Sequence, residues 1–288
     1  MQMYFLILGG QGYIGRVLVN HLIKSNLKYQ ILPRWDGISQ NEKEIILAEL
    51  KFNQLESRKK EFGKLRIINL IARAGNSFTQ DEIKEANFVA PYLIFQDFMG
   101  KNIDFDWIQI SSYFQFYSFQ YGKEKNSYSL WKNKFTKLLT NEIKNQNSRT
   151  FLEIFLPHVY GEKEKQERIF PLLLKCRREN MNLSLTSGNQ FLPFIYIEDC
   201  VAAIINILKI NSEMETICHF YVKPERELQL REIVSSVLNP EITKQCNFGV
   251  LNERENEFYS HVKVPNHVKI FTTDIEMNYL KYFQTRSS

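Results

Sequence analysis

An open, doubly wound parallel sheet flanked by helices, with a smaller and discontinuous C-terminal part, is the α/β fold this sequence predicts. Three observations carry it. The apolar run Tyr4–Leu8 passes directly into the turn Gly9-Gly10-Gln11-Gly12-Tyr13-Ile14-Gly15 and then into a helical pattern. A second run, Leu65–Ala72, is followed by apolar residues at helical spacing. A third, Trp107–Ile110, ends in Ser111-Ser112 ahead of another helical stretch. Strands that alternate with helices pair in parallel through right-handed crossovers, and ligands then sit at the strands' C-terminal ends.

The chain is long enough to build this. Its 288 residues, 44% of them hydrophobic, can bury a substantial core as one large or two modest domains. The net charge of +5 arises from 37 basic and 32 acidic residues in mixed runs such as Glu162-Lys163-Glu164-Lys165, which read as solvated surface and give no nucleic-acid face. Cys176, Cys200, Cys218 and Cys246 lack the close pairing that zinc sites use, so reduced thiols and no metal are expected. The first apolar stretch is only strand-length and lacks a basic start, and no other is long enough for a membrane span, so a cytoplasmic protein is expected.

The opening strand, turn and helix are the most informative stretch. A turn free of side chains lets backbone N–H groups at the positive end of the following helix approach a pyrophosphate. Gly9 serves the tight turn, Gly12 the close approach and Gly15 the packing of helix on strand, with Tyr13 and Ile14 beginning the helix beside them. Ile14, Val17, Leu18 and Leu22 form one apolar stripe facing a sheet. Such turns also form for steric reasons alone; the remainder of the chain weighs toward a dinucleotide.

Tyr29–Leu32 reads as the second strand, ending in Pro33-Arg34-Trp35-Asp36. An acid at this strand end hydrogen-bonds the ribose 2′-hydroxyl of NAD, whereas an arginine accommodates the 2′-phosphate of NADP. Arg34 therefore favours NADP(H), with NAD(H) the alternative if Asp36 reaches the ribose. Residues 41–64 fit either a short strand ending near Glu49 or a helix. The strand Leu65–Ala72 closes on Ala72, Ala74 and Gly75, small residues that leave room for a cofactor. A helix through Ile83, Ala86, Asn87, Ala90, Leu93 and Ile94 follows.

Sixteen residues after Ser112 stand Tyr128 and, four further on, Lys132. Residues four apart share one helix face, and an ammonium beside a phenol lowers the phenol's pKa, equipping it to exchange a proton with a carbonyl or hydroxyl. Ser112 would supply the second hydrogen bond to the same oxygen, with Ser111 as its substitute. A Tyr-x-x-x-Lys pair alone is more often a core aromatic and a surface lysine; its place after a serine-ended strand and a nucleotide turn gives it weight.

Taken together, Gly9-x-x-Gly12-x-x-Gly15, Asn69-Leu70-Ile71-Ala72, Asn87, Tyr128-x-x-x-Lys132, Leu156-Pro157-His158-Val159-Tyr160-Gly161 and Phe194–Val201 resemble the extended short-chain dehydrogenase/reductases almost end to end. The resemblance implies a Rossmann-type domain over residues 1–165, with 194–222 returning to it, and a substrate-binding domain from 166–193 and 223–288. It implies a Ser112–Tyr128–Lys132 triad with Lys132 also holding the nicotinamide ribose, and cofactor contacts from Gly9, Gly12, Tyr13, Ile14, Gly15, Arg34, Ala72, Asn87 and Ser111. Ser112, Tyr128 and His158 would meet a nucleotide-sugar substrate. Members often pair through helices flanking the site, so a homodimer is the assembly it suggests, with no nucleic-acid or membrane partner.

The departures narrow the function. Dehydratases of this family carry an Asp-Glu pair just after the catalytic Ser or Thr, where this chain has Tyr113, Phe114 and Gln115. His158 takes the place of an asparagine that touches the diphosphate, and Leu192-Pro193 the place of an arginine. Substrate choice is expected from Arg168-Ile169-Phe170-Pro171, the helix through Leu172–Leu174 and an amphipathic helix through Leu228, Leu230, Ile233, Val234 and Val237. Lys175, Arg177 and Arg178 read as its solvated face. The expectation is NADP(H)-dependent reduction of a nucleotide-linked 4-keto-6-deoxy sugar. An NAD-dependent 4-epimerase and a non-catalytic NADP-binding regulator are the alternatives.

Overall fold

Apolar residues on both faces of a strand require cover on both faces, and β1 (Met3–Leu8) shows how it is provided. Phe5 and Ile7 enter one core and Tyr4, Leu6 and Leu8 the other. The computed structural model describes residues 3–33, 64–100, 104–144, 149–210, 215–237 and 243–272. Arg34, Asp36, Glu49 and the stretch left open between strand and helix lie outside the described residues, apart from the start of the next strand.

β1 leads to α1 (Tyr13–Lys24) and β2 (Lys28–Ile31). β3 (Lys64–Asn69) is followed by α2 (Gln80–Lys84), a π-helical turn over Glu85–Val89 and α3 (Ala90–Gly100). Thr79 and Glu82 start α2 with a reciprocal capping box. β4 (Phe105–Ser112) then gives a 3-10 turn (Tyr113–Gln115), α4 (Phe116–Tyr121) and α5 (Ser127–Lys144). β5 (Thr150–Leu156), β6 (His158–Tyr160), α6 (Ile169–Glu179), β7 (Leu183–Ser184) and β8 (Phe191–Tyr196) follow. The described chain closes through α7 (Ile197–Ile210), β9 (Ile217–Lys223), β10 (Glu227–Gln229), α8 (Leu230–Val237), β11 (Cys246–Asn247) and β12 (Lys269–Thr272).

Seven strands form a sheet in the order β12-β9-β5-β4-β3-β1-β2, parallel throughout. The doubly wound parallel expectation is met. Leu18 and Leu22 of α1 and Cys200, Val201 and Ile204 of α7 cover one face, while Ile94 and Phe98 of α3 and Phe135 and Leu139 of α5 cover the other. A separate core of Tyr160, Phe170, Leu173, Leu192, Phe194, Ile233 and Val234 unites α6 and α8 with the three-stranded sheet β10-β8-β6. The run Phe194–Val201 makes the strand and helix start that were expected. Its strand pairs with β6 and β10, however, and the strand that rejoins the large sheet is β9. Among the described residues no helix is long and apolar enough to cross a membrane. All four cysteines are free and buried.

At the N-terminal ends of β3 and β4 the register places Arg66 opposite Asp106, and both are almost wholly buried. Arg66 Nε lies 3.3 Å from Asp106 Oδ2, its Nη1 donates to the Leu208 carbonyl at 2.8 Å, and Thr150 Oγ1 donates to Asp106. Breaking one half of a buried pair strands the other charge, at a cost of about 3–5 kcal/mol. Asp106→Ala should lose stability of that order in urea unfolding, and adding Arg66→Met should recover much of it; additive losses would contradict the pairing.

Candidate active site

The strand order turns between β1 and β3: β2 lies on one side of β1, and β3, β4, β5, β9 and β12 follow on the other. Chains leaving such a point diverge and leave a crevice at the strands' C-terminal ends. Gly9, at φ +79°, lies in it with its backbone against Leu70 and Ile71; a Cβ there would stand 3.0 Å from the Leu70 carbonyl carbon. At Gly15 a Cβ would fall 2.4 Å from the Gly9 oxygen, so only glycine lets α1 approach the turn this closely. Gly12 caps α1 without a side chain, and no acidic residue occupies its first turn. Its N–H groups and the positive helix end thus present an anion cradle of the kind a pyrophosphate takes. Tyr13 and Ile14, both half-buried, pack against the adjoining core.

The loop after β3, which carries Ala72, is held from two sides. Asn69 Oδ1 accepts from the Ile71 N–H at 3.0 Å while its Nδ2 donates to Gln109 at 2.8 Å. Asn87, in the π-helical turn, donates to the Arg73 and Ile83 carbonyls at 2.8 and 2.7 Å. Its buried Oδ1 has no hydrogen-bond partner among the described residues. The cradle and this acceptor fit a dinucleotide.

Ser112, Tyr128 and Lys132 meet at the end of β4. Asn126 starts α5 by accepting from the Ser129 N–H at 3.0 Å, while Ser129 Oγ accepts from the Asn126 N–H at 3.1 Å, and this fixes the turn that carries Tyr128. Ser112 stands near enough to Tyr128 to act on its phenol, and Ser112 Oγ accepts from the Phe114 N–H at 3.3 Å. Ser112 is thus the serine brought to Tyr128. Ser111 is turned away: its Oγ donates to Glu153 at 2.6 Å, so the cofactor contact expected of it has its hydroxyl committed to the interior. Successive strand residues point to opposite sides, and the strand's end decides which one faces the crevice.

The charge pattern corrects one expectation. Burial pushes Tyr128 up to about 12, with Ser112 and Arg168 opposing, so the phenol holds its proton. Lys132 does not offset this. It is almost fully buried, its Nζ donates to the Ile110 carbonyl at 2.8 Å, and it stands 5.6 Å from the centre of the Tyr128 ring. Burial brings Lys132 down to about 8, with the Glu153 charge acting in the other direction. Desolvation wins over the lysine–phenol attraction in the chain by itself.

His158 sits among the rings of Tyr113, Phe114 and Phe194, at 5.2, 5.2 and 5.1 Å between centroids. Burial, then Arg168, Lys125 and Arg254, hold it well below the ordinary histidine value, so it is a neutral imidazole. Lys125 pairs with Glu257 at 3.0 Å and lies 4.7 Å from the Phe114 ring centre, tying the approach to α5 to the C-terminal segment. Glu164 is pushed up to about 7 by burial, against the pull of Arg168.

Arg168, in the segment expected to govern substrate choice, acts electrostatically on Tyr113, Tyr128, His158 and Glu164. One residue of this site was not singled out from sequence, Glu153, and its signal was available: a lone acid inside the apolar strand Phe151-Leu152-Glu153-Ile154-Phe155.

The comparisons with known proteins agree with the fold and the crevice. A family model described as the NAD dependent epimerase/dehydratase family matches residues 5–218, and the chain belongs to that family, within the extended short-chain dehydrogenase/reductases. It is an NAD(P)-dependent enzyme. Among curated proteins it is similar to the CDP-abequose synthase of Salmonella typhimurium, 22% identical over 96% of this chain and 95% of the relative. Among solved structures it is similar to dTDP-glucose 4,6-dehydratase of Bacillus anthracis in complex with NAD (15% identity, TM-score 0.69, covering 98% of this chain and 96% of that one). It is also similar to UDP-glucose 4-epimerase of Thermotoga maritima with UDP-glucose (13% identity, TM-score 0.70, covering 99% and 100%).

A neutral His158 should give no protonation shift in 15N NMR between about pH 6 and 8. A midpoint inside that window would show that the ring is solvated and charged.

Proposed function

We propose that the chain reduces the 4-keto group of a nucleotide-linked 4-keto-6-deoxy sugar with NADPH. The observation that carries this reading is Tyr128 placed beside Ser112 and buried Lys132 at the end of β4, in a site whose next residues are Tyr113, Phe114 and Gln115. Eliminating water needs an acid and a base of its own, and no carboxylate occupies these three positions. Reduction needs one proton donor and a second hydrogen bond, both of which the site supplies. The curated relatives named CDP-abequose synthase support a nucleotide-linked sugar and make a CDP-linked substrate the first to assay. Arg34, on sequence grounds, supports NADPH over NADH.

In this reading Gly9, Gly12 and Gly15, with the start of α1 at Tyr13 and Ile14, hold the pyrophosphate. Ala72 and Asn87 bound the cofactor's middle, and Lys132 approaches the nicotinamide ribose. A dihydronicotinamide held by these residues would supply the hydride for the sugar carbonyl carbon. Tyr128 gives its hydroxyl proton to the carbonyl oxygen, and Ser112 polarises that oxygen. A phenol that holds its proton at neutral pH is suited to act as the acid. Arg168 stabilises negative charge as it develops on Tyr128. His158 and the rings about it form one wall for the sugar, to which Phe258 of the C-terminal segment adds.

The test follows NADPH absorbance with CDP-, dTDP-, GDP- and UDP-linked 4-keto-6-deoxy sugars. One NADPH should be consumed per sugar reduced. Tyr128→Phe should lower turnover about 10²–10⁴-fold while NADPH affinity, read by fluorescence, stays within a few-fold. Bound NAD that resists dialysis, together with 4-epimerisation and no net oxidation, would replace this reading with that of an epimerase.

A further inference from the structure

Glu153 is fully buried in the middle of β5, between Leu152 and Ile154 of the core. A carboxylate in such a place costs several kcal/mol unless its oxygens are satisfied. Here they are. Ser111 Oγ and Thr136 Oγ1 donate to Oε1 at 2.6 and 2.5 Å, and Gln115 Nε2 approaches it at 3.4 Å. His219 Nδ1 lies 3.0 Å from Oε2, and the His219 ring meets His267 edge-on at 5.2 Å.

Three of these partners tie the carboxylate to the elements that carry the reacting side chains. Ser111 precedes Ser112 on β4. Gln115 accepts from the Ser112 N–H at 3.2 Å and donates to Asn133 at 3.0 Å. Thr136 lies one turn beyond Lys132 on the inner face of α5. One buried carboxylate thus joins the end of β4, the turn after it and the helix of Tyr128 and Lys132. We propose that Glu153 is a positioning residue of this site: through Ser111, Gln115 and Thr136 it anchors the end of β4 to the helix of Tyr128 and Lys132, with His219 bracing its far oxygen and Lys132 within reach of its charge. This rests on the reductase reading of the same site.

The titratable groups facing Glu153, among the described residues, are Lys132 from α5, His219 from β9 and His267 from the loop before β12; β4 and the 3-10 turn contribute only Ser111 and Gln115. Of the influences on Lys132, burial lowers its pKa and Glu153 raises it. Removing the carboxylate's charge therefore leaves burial unopposed, and the ammonium gives up its proton at lower pH.

The experiment is lysine 13Cε NMR of Lys132, assigned with Lys132→Met, in wild type and Glu153→Gln, alongside the pH profile of kcat and KM. The Lys132 midpoint in Glu153→Gln should fall by about one pH unit. The alkaline limb of kcat should move with it, and KM should change less than kcat. An unmoved midpoint in a folded variant overturns the proposal. The NMR arm reads no turnover, so it distinguishes this failure from failure of the reductase reading, which would appear as no NADPH consumption by the wild type. Should Glu153→Gln not fold, Glu153→Asp is read instead. It keeps the charge but withdraws it from Ser111 and Thr136, and it should lower kcat severalfold with the limb in its wild-type place; wild-type kcat in that variant overturns the anchor.

Discussion

The parallel pairing of β1 and β3 is the constraint on which the site depends. Their register runs from Met3 opposite Lys64 to Leu8 opposite Asn69, so both chains leave the sheet at the same level. The room between them is narrow enough that Gly9 must dispense with a side chain, and Gly15 does so to let α1 close on the turn itself. That closeness turns the first N–H groups of α1 into an anion site. It also brings the β3 loop, pinned by Asn69 and Asn87, to the same opening. A looser pairing would relieve Gly9 and lose the cradle.

β4 carries two buried charge systems at its two ends, and they serve different purposes. At its start Asp106 meets Arg66 across the register, an internal pairing far from any reacting group. At its end Ser111 reaches Glu153, and Lys132 bonds the Ile110 carbonyl. Both systems bear desolvation costs that a wholly apolar strand would avoid. The first fixes the register of neighbouring strands. The second gathers hydroxyl, carboxylate and ammonium beneath the serine and tyrosine on which chemistry is proposed.

Above the sheet the wall is aromatic. Tyr113 stacks toward Phe258, His158 toward Phe194, and Phe114 meets His158 edge-on. The residues that stand where an acid and base would serve a dehydratase are therefore wall. Lys125 and Glu257 join this wall to the C-terminal segment by a buried ion pair. Arg168, at the start of α6, supplies the positive field over Tyr128 and His158.

By itself the sequence determined the sheet, because strands apolar on both faces admit only a covered parallel arrangement. The glycine spacing determined where a dinucleotide would approach, since steric access there depends on neighbours in the chain. Tyr128 and Lys132 were legible as a pair because four residues make one helical turn. Only the tertiary structure decided that Ser112 and not Ser111 faces Tyr128, and that Lys132 bonds a carbonyl of β4. It alone decided that the acid in β5 lies beneath them. These outcomes rest on contacts between residues distant in the chain, 42 apart for Ser111 and Glu153 and 66 for Glu153 and His219. Desolvation follows from what surrounds a group in space, and for this reason the high pKa of Tyr128 ran against the lysine four residues away.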